Sequence, residues 1–167
     1  MSVLTKTQLQ LITEFLLTSL GSVIKANDID AWQEHGTLII TGEDLGLQGF
    51  ALAKWKHSAV ISIERFPHRK LNPYSLLAMV AAYLIDNGGE RDTFQLADPE
   101  LDIDVISKDH AQVLIQLELI DNIEVIPDAN GSILFNGQQY RIDLAPVNVA
   151  ETIDTVVTID SDTGGDA

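Results

Sequence analysis

The pattern in this chain that most resembles chemistry is an acid at every second position: Asp98, Glu100, Asp102 and Asp104. A calcium loop places oxygen ligands at such spacing, but it also needs a glycine at its sixth position and a glutamate at its twelfth. Counted from Asp98, those positions hold Ile103 and Asp109. The string therefore reads as the solvated face of an extended segment, with Leu101, Ile103 and Val105 turned inward, because charged side chains stay in water. The functional alternative is an acidic stripe that meets a basic neighbour. A metal-dependent hydrolase built on the string is a further reading, with no other residues to support it.

Lys54, Lys56, His57, Arg65, His68, Arg69 and Lys70 form the one basic cluster, and Trp55 sits within it. Basic residues around an aromatic can bind single-stranded nucleic acid. Here the cluster is small and the formal net charge is -15, which opposes phosphate contacts. The reading preferred is an inter-subunit patch that faces the acidic half of the next copy. The plain alternative is scattered surface charge, which contributes little. Trp55 alternates with Lys54 and Lys56, so its ring lies on the opposite face. It and Trp32 belong to a core or to an interface, where tryptophan is enriched.

Other catalytic patterns fail. The histidines, His35, His57, His68 and His110, include no pair at helical i, i+4 spacing and no HExxH. Asp109 beside His110 is an isolated pair. No serine lies in GxSxG, and neither GxGxxG nor a phosphate-binding loop is present. Asn87-Gly88-Gly89 reads as a helix stop. No catalytic, cofactor-binding or metal site is expected, and the chain reads as a binding protein.

The elements that position these residues form one domain at this length of 167 residues. Hydrophobic residues make up 46% of the chain, enough for a sizeable core. Without cysteine there are no disulfides. No signal segment and no run of about 20 apolar residues is seen, so a soluble product of a cytoplasm is expected. Charge is uneven: residues 1–90 carry 7 Lys or Arg against 9 acids, a net of −2, whereas residues 91–167 carry 3 against 16, a net of −13. The acidic half repels nucleic acid and keeps subunits soluble.

Leu9, Ile12, Leu16 and Leu20 recur at helical spacing and predict a helix over Thr7 to Leu20, stopped by Gly21. Asn27-Asp28 can cap a short helical turn through Trp32. Thr37 to Thr41 reads as a strand, Gly42 to Gly49 as a loop, and Phe50 to Phe66 as one long strand or two short ones. Pro73 opens a second helix that runs to about Asn87. It is apolar on most sides, which predicts a central, buried position. From Thr93 the pattern is β: Gln112 to Glu118, Asn122 to Ile126, and a hairpin at Asn136-Gly137, where both turn positions need positive φ. A single α+β domain is expected over residues 1–146, with a central buried helix and an N-terminal helix packed on a mainly antiparallel sheet. An acidic tail, disordered toward its end, is expected over 147–167.

In order along the chain, several segments carry a family resemblance: Ala31-Trp32-Gln33-Glu34-His35-Gly36-Thr37-Leu38; Val60-Ile61-Ser62-Ile63-Glu64-Arg65-Phe66-Pro67; the leucine-rich helix Leu76 to Ile85; Phe94; Leu101-Asp102-Ile103-Asp104; Leu114-Ile115-Gln116-Leu117-Glu118-Leu119; and Ile123-Glu124-Val125. Over residues 5–127 the chain resembles the tail completion protein R (GpR) family of contractile-tailed temperate phages. The resemblance implies a tail-terminator-like fold and a structural role without cofactors. Such proteins form rings, typically hexamers, that cap the tail tube and sheath at the head-proximal end and offer a surface to the head connector. It implies a virion component assembled in the bacterial cytoplasm, with no sequence-specific nucleic acid binding and no membrane. The runner-up is a head–tail connector or another morphogenesis adaptor, and a non-phage binding module comes after that. The residues expected at the interfaces are Lys54, Trp55, Lys56, Arg65, Arg69, Lys70, Asp98, Glu100, Asp102 and Asp104.

Overall fold

The computed structural model describes residues 5–46, 49–144 and 152–153. Its first helix, α1 (Gln8–Leu20), begins where the apolar spacing predicts. Thr7 caps it: the Thr7 hydroxyl accepts from Gln10 N at 3.1 Å, and the Gln10 side chain accepts from Thr7 N at 2.8 Å. This reciprocal box satisfies two amides that have no partner within the helix. Leu9, Ile12, Leu16 and Leu20 are buried.

The sheet is built on three long strands: β1 (Ile29–Asp44), β2 (Phe50–Phe66) and β4 (Ala111–Pro127). β2 lies between the other two, antiparallel to both. β3 (Glu100–Val105) pairs with β4, β6 (Gln138–Ile142) pairs with the far end of β4, and β5 (Ile133–Phe135) pairs with β6. A short β7 (Thr152–Ile153) runs parallel to β1 at Trp32 and Gln33. The second helix, α2 (Pro73–Asn87), starts at an Asn72 cap whose side chain accepts from Tyr74 N.

One face of the sheet carries Ala59, Ile61 and Ile63 of β2 beside Leu117, Ile115 and Val113 of β4. Both helices pack on this face and complete the core. Ladders this long need bulges to bend over helices. β1 has bulges between Gln33 and Gly36 and between Ile40 and Glu43. At the first, a Cβ on Gly36 would overlap the Lys56 carbonyl and come 2.7 Å from His57 Cα, so only glycine fits.

The α+β class and the antiparallel sheet match the expectation. Several local readings differ. The helical turn ends at Asp28, as a 3-10 turn over Ala26–Asp28, and Ile29 to Gln33 is already strand. Ile29, Ala31 and Gln33 point inward there, and a buried glutamine hides the alternation. β1 continues through Gly42 to Asp44, so the loop is shorter than the glycines suggest. β2 is one strand, and β4 is also one strand rather than two. α2 is not buried on all sides: Leu76 and Val80 are buried, while Tyr74, Ala78, Ala81, Ala82 and Ile85 are exposed. Its apolar outer flank is left in the open. Thr93 to Gln95 is turn and Leu96 to Pro99 is irregular before β3 begins. The Asn136-Gly137 hairpin is as read, with φ of 55° and 75°. Apart from Thr152 and Ile153, the acidic tail lies outside the described residues.

Gly36→Ala should destabilise the subunit by about 1–3 kcal/mol, the range for forcing atoms into a packed site. An unchanged urea midpoint would show that the bulge yields freely and that the close approach is not a constraint.

Candidate subunit and tail interface

The basic cluster of the sequence separates into two groups in space. Lys54 and Lys56 lie in mid-β2, half-buried, on the sheet face away from the helices. Lys54 Nζ donates to Glu90 Oε2 at 3.1 Å and Asn122 Oδ1 at 2.6 Å, and sits 5.6 Å from the centre of the Phe94 ring. Lys56 Nζ donates to the Phe94 carbonyl at 3.1 Å. Both lysines hold the segment after α2 against the sheet within one subunit. Arg65, Arg69 and Lys70 are exposed, and none makes an ion pair among the described residues. Eleven strand positions from Lys54 to Arg65 correspond to about 36 Å at 3.3 Å per residue. His68 Nε2 lies 3.3 Å from the Ser107 carbonyl, so this basic corner sits beside the loop after β3.

The acids stay together. Glu100, Asp102 and Asp104 are all exposed on β3 and pair with Gln116, Leu114 and Gln112 of β4. Residues directly opposite in a ladder share a face, so the three acids stand on the outer face that also carries Lys54 and Lys56. Asp98 precedes them, and Glu34 of β1 and Glu118 of β4 reach the same shallow groove of about 240 Å³. Glu118 is partly held by Ala97 N at 2.8 Å. On the inner face the expectation is corrected: Leu101 is half-buried, but Ile103 is 38% and Val105 60% exposed. α2 does not extend over them. Among the described residues no three His, Asp or Glu side chains are placed to hold a metal ion.

Trp55 faces the helix side, as its alternation with the lysines predicts. Its indole N–H donates to Gln33 Oε1 at 2.9 Å, and its ring stacks on His57 at 5.6 Å. Both contacts are internal to the subunit. Trp32 is half-buried, with Nε1 3.4 Å from Glu34 Oε2.

The structure also builds a buried pair that sequence reading missed. His57 and Asp121 are 2% and 7% exposed, with Nε2 3.7 Å from Oδ2. Asp121 Oδ1 accepts from Gln8 N at 2.7 Å, so a β4 carboxylate holds the N-terminus of α1. His57 Nδ1 lies 3.1 Å from the Trp55 carbonyl and so carries the imidazole proton. That leaves Nε2 bare and facing Oδ2, and neither atom has a hydrogen-bond partner among the described residues. Burial pushes the Asp121 carboxyl up from 3.8, against the Gln8 N–H and His57, which pull it down. Burial likewise lowers His57 from 6.5, against the Trp55 carbonyl and Asp121. The two residues are brought together by strand register across 64 positions of sequence. The only local sign was an aspartate interrupting the apolar run of β4. Asp109 and His110, adjacent in sequence, are both exposed.

With this geometry in place, the comparisons with known proteins decide the family. Residues 6–144 match the family described as P2 phage tail completion protein R (GpR). The chain belongs to that family. It is also similar to an uncharacterized 19.2 kDa protein from the rep-hol intergenic region of Haemophilus phage HP1 (strain HP1c1), at 26% identity over 160 residues, covering 96% of each chain. No solved structure matches. The chain is thus a phage tail-related protein, and among its described residues no helix is long and apolar enough to cross a membrane.

Asp121→Asn tests the buried pair. Asn keeps the acceptor for Gln8 N and offers an N–H to His57 Nε2. Because Asp121 is raised in the fold, its contribution to stability is complete below 3.8 and is lost as pH rises through the folded value. His57 is lowered, so its contribution is complete above 6.5 and is lost as pH falls through its folded value. At pH 7 only the aspartate term is unfavourable. D121N should therefore be at least as stable as the wild type at pH 7, with any advantage shrinking toward pH 4. Asp121→Ala orphans the Gln8 amide and should lose about 1–3 kcal/mol. Equal destabilisation of both variants in urea titrations at pH 7 would mean that the carboxylate charge itself anchors α1.

Proposed function

We propose that this protein caps the head-proximal end of a phage tail as a closed ring and presents a surface to which the head connector joins. It works by binding rather than by chemistry. Its place is the virion tail, and its partners are its own copies, the tail tube and sheath, and the connector. The observation that carries this reading, in a chain of the tail completion family, is the separation of charge on one subunit. Arg65, Arg69 and Lys70 are exposed at one end of β2 and make no ion pair among the described residues. Glu34, Asp98, Glu100 and Glu118 line an acidic groove elsewhere on the sheet.

Opposite patches that do not satisfy each other within a subunit favour a head-to-tail contact between copies. Such contacts close into a ring when the rotation allows. A single exposed pair is worth only about 0.2–1 kcal/mol. Repeated at every interface of a ring, the pairs set register and steer encounter more than they add affinity. Lys54 and Lys56 are already held by Glu90, Asn122 and the Phe94 carbonyl, so they are weak candidates for this contact.

Light scattering with negative-stain imaging tests the proposal. The wild type should form closed rings, alone or when purified tail tubes are added, and raising salt should weaken them. Arg65→Glu with Arg69→Glu and Lys70→Glu should remain monomeric, and adding Glu100→Lys should recover part of the assembly. Rings that survive the triple reversal with unchanged salt dependence would remove the charge contact. A wild type that stays monomeric beside tail tubes would favour a connector or adaptor role instead.

A further inference from the structure

We propose that the free edge of β3, with the apolar groove beside it, binds an extended segment of a partner protein whose residues alternate between aliphatic and basic. β3 pairs with β4 on one side and, among the described residues, with nothing on the other. Its outward backbone groups are therefore open to a further strand. The inner row of β3 pairs with Ile115, Val113 and Ala111, all buried, yet Ile103 and Val105 stand in solvent. Next to them along β3, Leu101 faces the bare flank of α2, where Ile85 is 82% exposed. Between α2 and Leu101 lies a groove of about 550 Å³, lined by Leu77, Ala81, Ile85 and Leu96, with Arg91 and Asp98 also at its walls.

A strand laid on β3 would continue both faces of the sheet. Its inner side chains would lie beside Ile103 and Val105 and reach the α2 flank at the Leu101 end, removing apolar surface from water. Its outer side chains would stand directly opposite Glu100, Asp102 and Asp104. Opposite charges across a ladder stabilise it and like charges destabilise it. This excludes two self-derived occupants. A second copy's β3, paired antiparallel, would set acids against acids. Residues 154–167 of the chain itself hold four acids and no Lys or Arg. The occupant is a segment from another protein, with Lys or Arg at alternate positions. It can dock on a single subunit, so the inference is independent of ring closure.

Nuclear magnetic resonance on the isotope-labelled full-length protein tests this, with the peptide Lys-Val-Lys-Ile-Lys-Val-Lys as probe. The amides of residues 100–106, with Ala81 and Ile85, should shift on titration. The matching peptide with glutamate for lysine should bind about tenfold more weakly or not at all. So should a version methylated on the alternate backbone nitrogens that would pair with β3. Asp102→Lys with Asp104→Lys, both exposed and so compatible with folding, should reverse the charge preference. Equal binding of the methylated peptide would overturn strand pairing in favour of mere charge attraction. An absence of β3 shifts at millimolar peptide would overturn the site. Concentration-dependent β3 shifts without peptide would make a second copy the occupant. Shifts there on deletion of residues 154–167 would assign it to the chain's own C-terminus.

Discussion

The β2–β4 ladder is the constraint on which the rest of the subunit depends. It runs from Phe50 opposite Val125 to Phe66 opposite Ala111. Side chains in a strand alternate with period two, so sliding one strand by a single residue would exchange its two faces. In the observed register Ile61, Ile63, Ile115 and Leu117 all meet the helices, while Lys54, Lys56 and Glu118 lie on the opposite face. A slip would put Lys54, Lys56 and Glu118 into the core, at several kcal/mol per unpaired charge. The apolar alternation of β4 therefore selects the electrostatic surface as well as the core.

The same register explains the buried polar pair. Trp55 stands opposite Asp121, and His57 lies one inward step along, so their side chains converge beneath the start of α1. A carboxylate there accepts a helix amide that the Thr7–Gln10 box leaves over. The helix dipole favours a charge at this position, and burial opposes it. Burial outweighs the Gln8 N–H and His57, so the Asp121 carboxyl is raised from its ordinary value. α1 is thus fixed to the sheet by a polar contact at one end and by Leu9, Ile12 and Leu16 along its length. The polar contact specifies where the helix starts, and the apolar stripe supplies most of the attraction.

Legibility in the sequence followed the physics of each feature. Helix α1, the Asn72-Pro73 start of α2 and the Asn136-Gly137 turn were readable because each is encoded by neighbours in sequence. The long strands were cut or shortened where a residue offended the local rule: Gln33, Gly36 and Gly42 in β1, and Asp121 and Asn122 in β4. Each of these sits at a bulge or is paid for by a distant partner, which no local pattern reports. The exposed flank of α2 misled for a related reason, since an apolar helix reads as buried whether or not anything covers it. The basic cluster failed because strand geometry carried residues close in sequence tens of ångströms apart. Glu100, Asp102 and Asp104 stay together because alternation along β3 keeps them on one face.

Charge and exposed apolar surface in this subunit have to be read together. Ile85, Ile103 and Val105 beside an open strand edge would ordinarily promote association between copies. The acids of β3 stand one residue away from those side chains and share the same edge. Any acidic strand that approached to cover the apolar row would bring its own carboxylates against Asp102 and Asp104. Residues 91–167, with a net charge of −13, contain few segments that could do so without repulsion. The charge at this edge thereby disfavours acidic strands and favours basic ones. The acidity of β3 therefore opposes edge-to-edge pairing between copies at an edge where strand geometry and exposed apolar side chains would otherwise favour it.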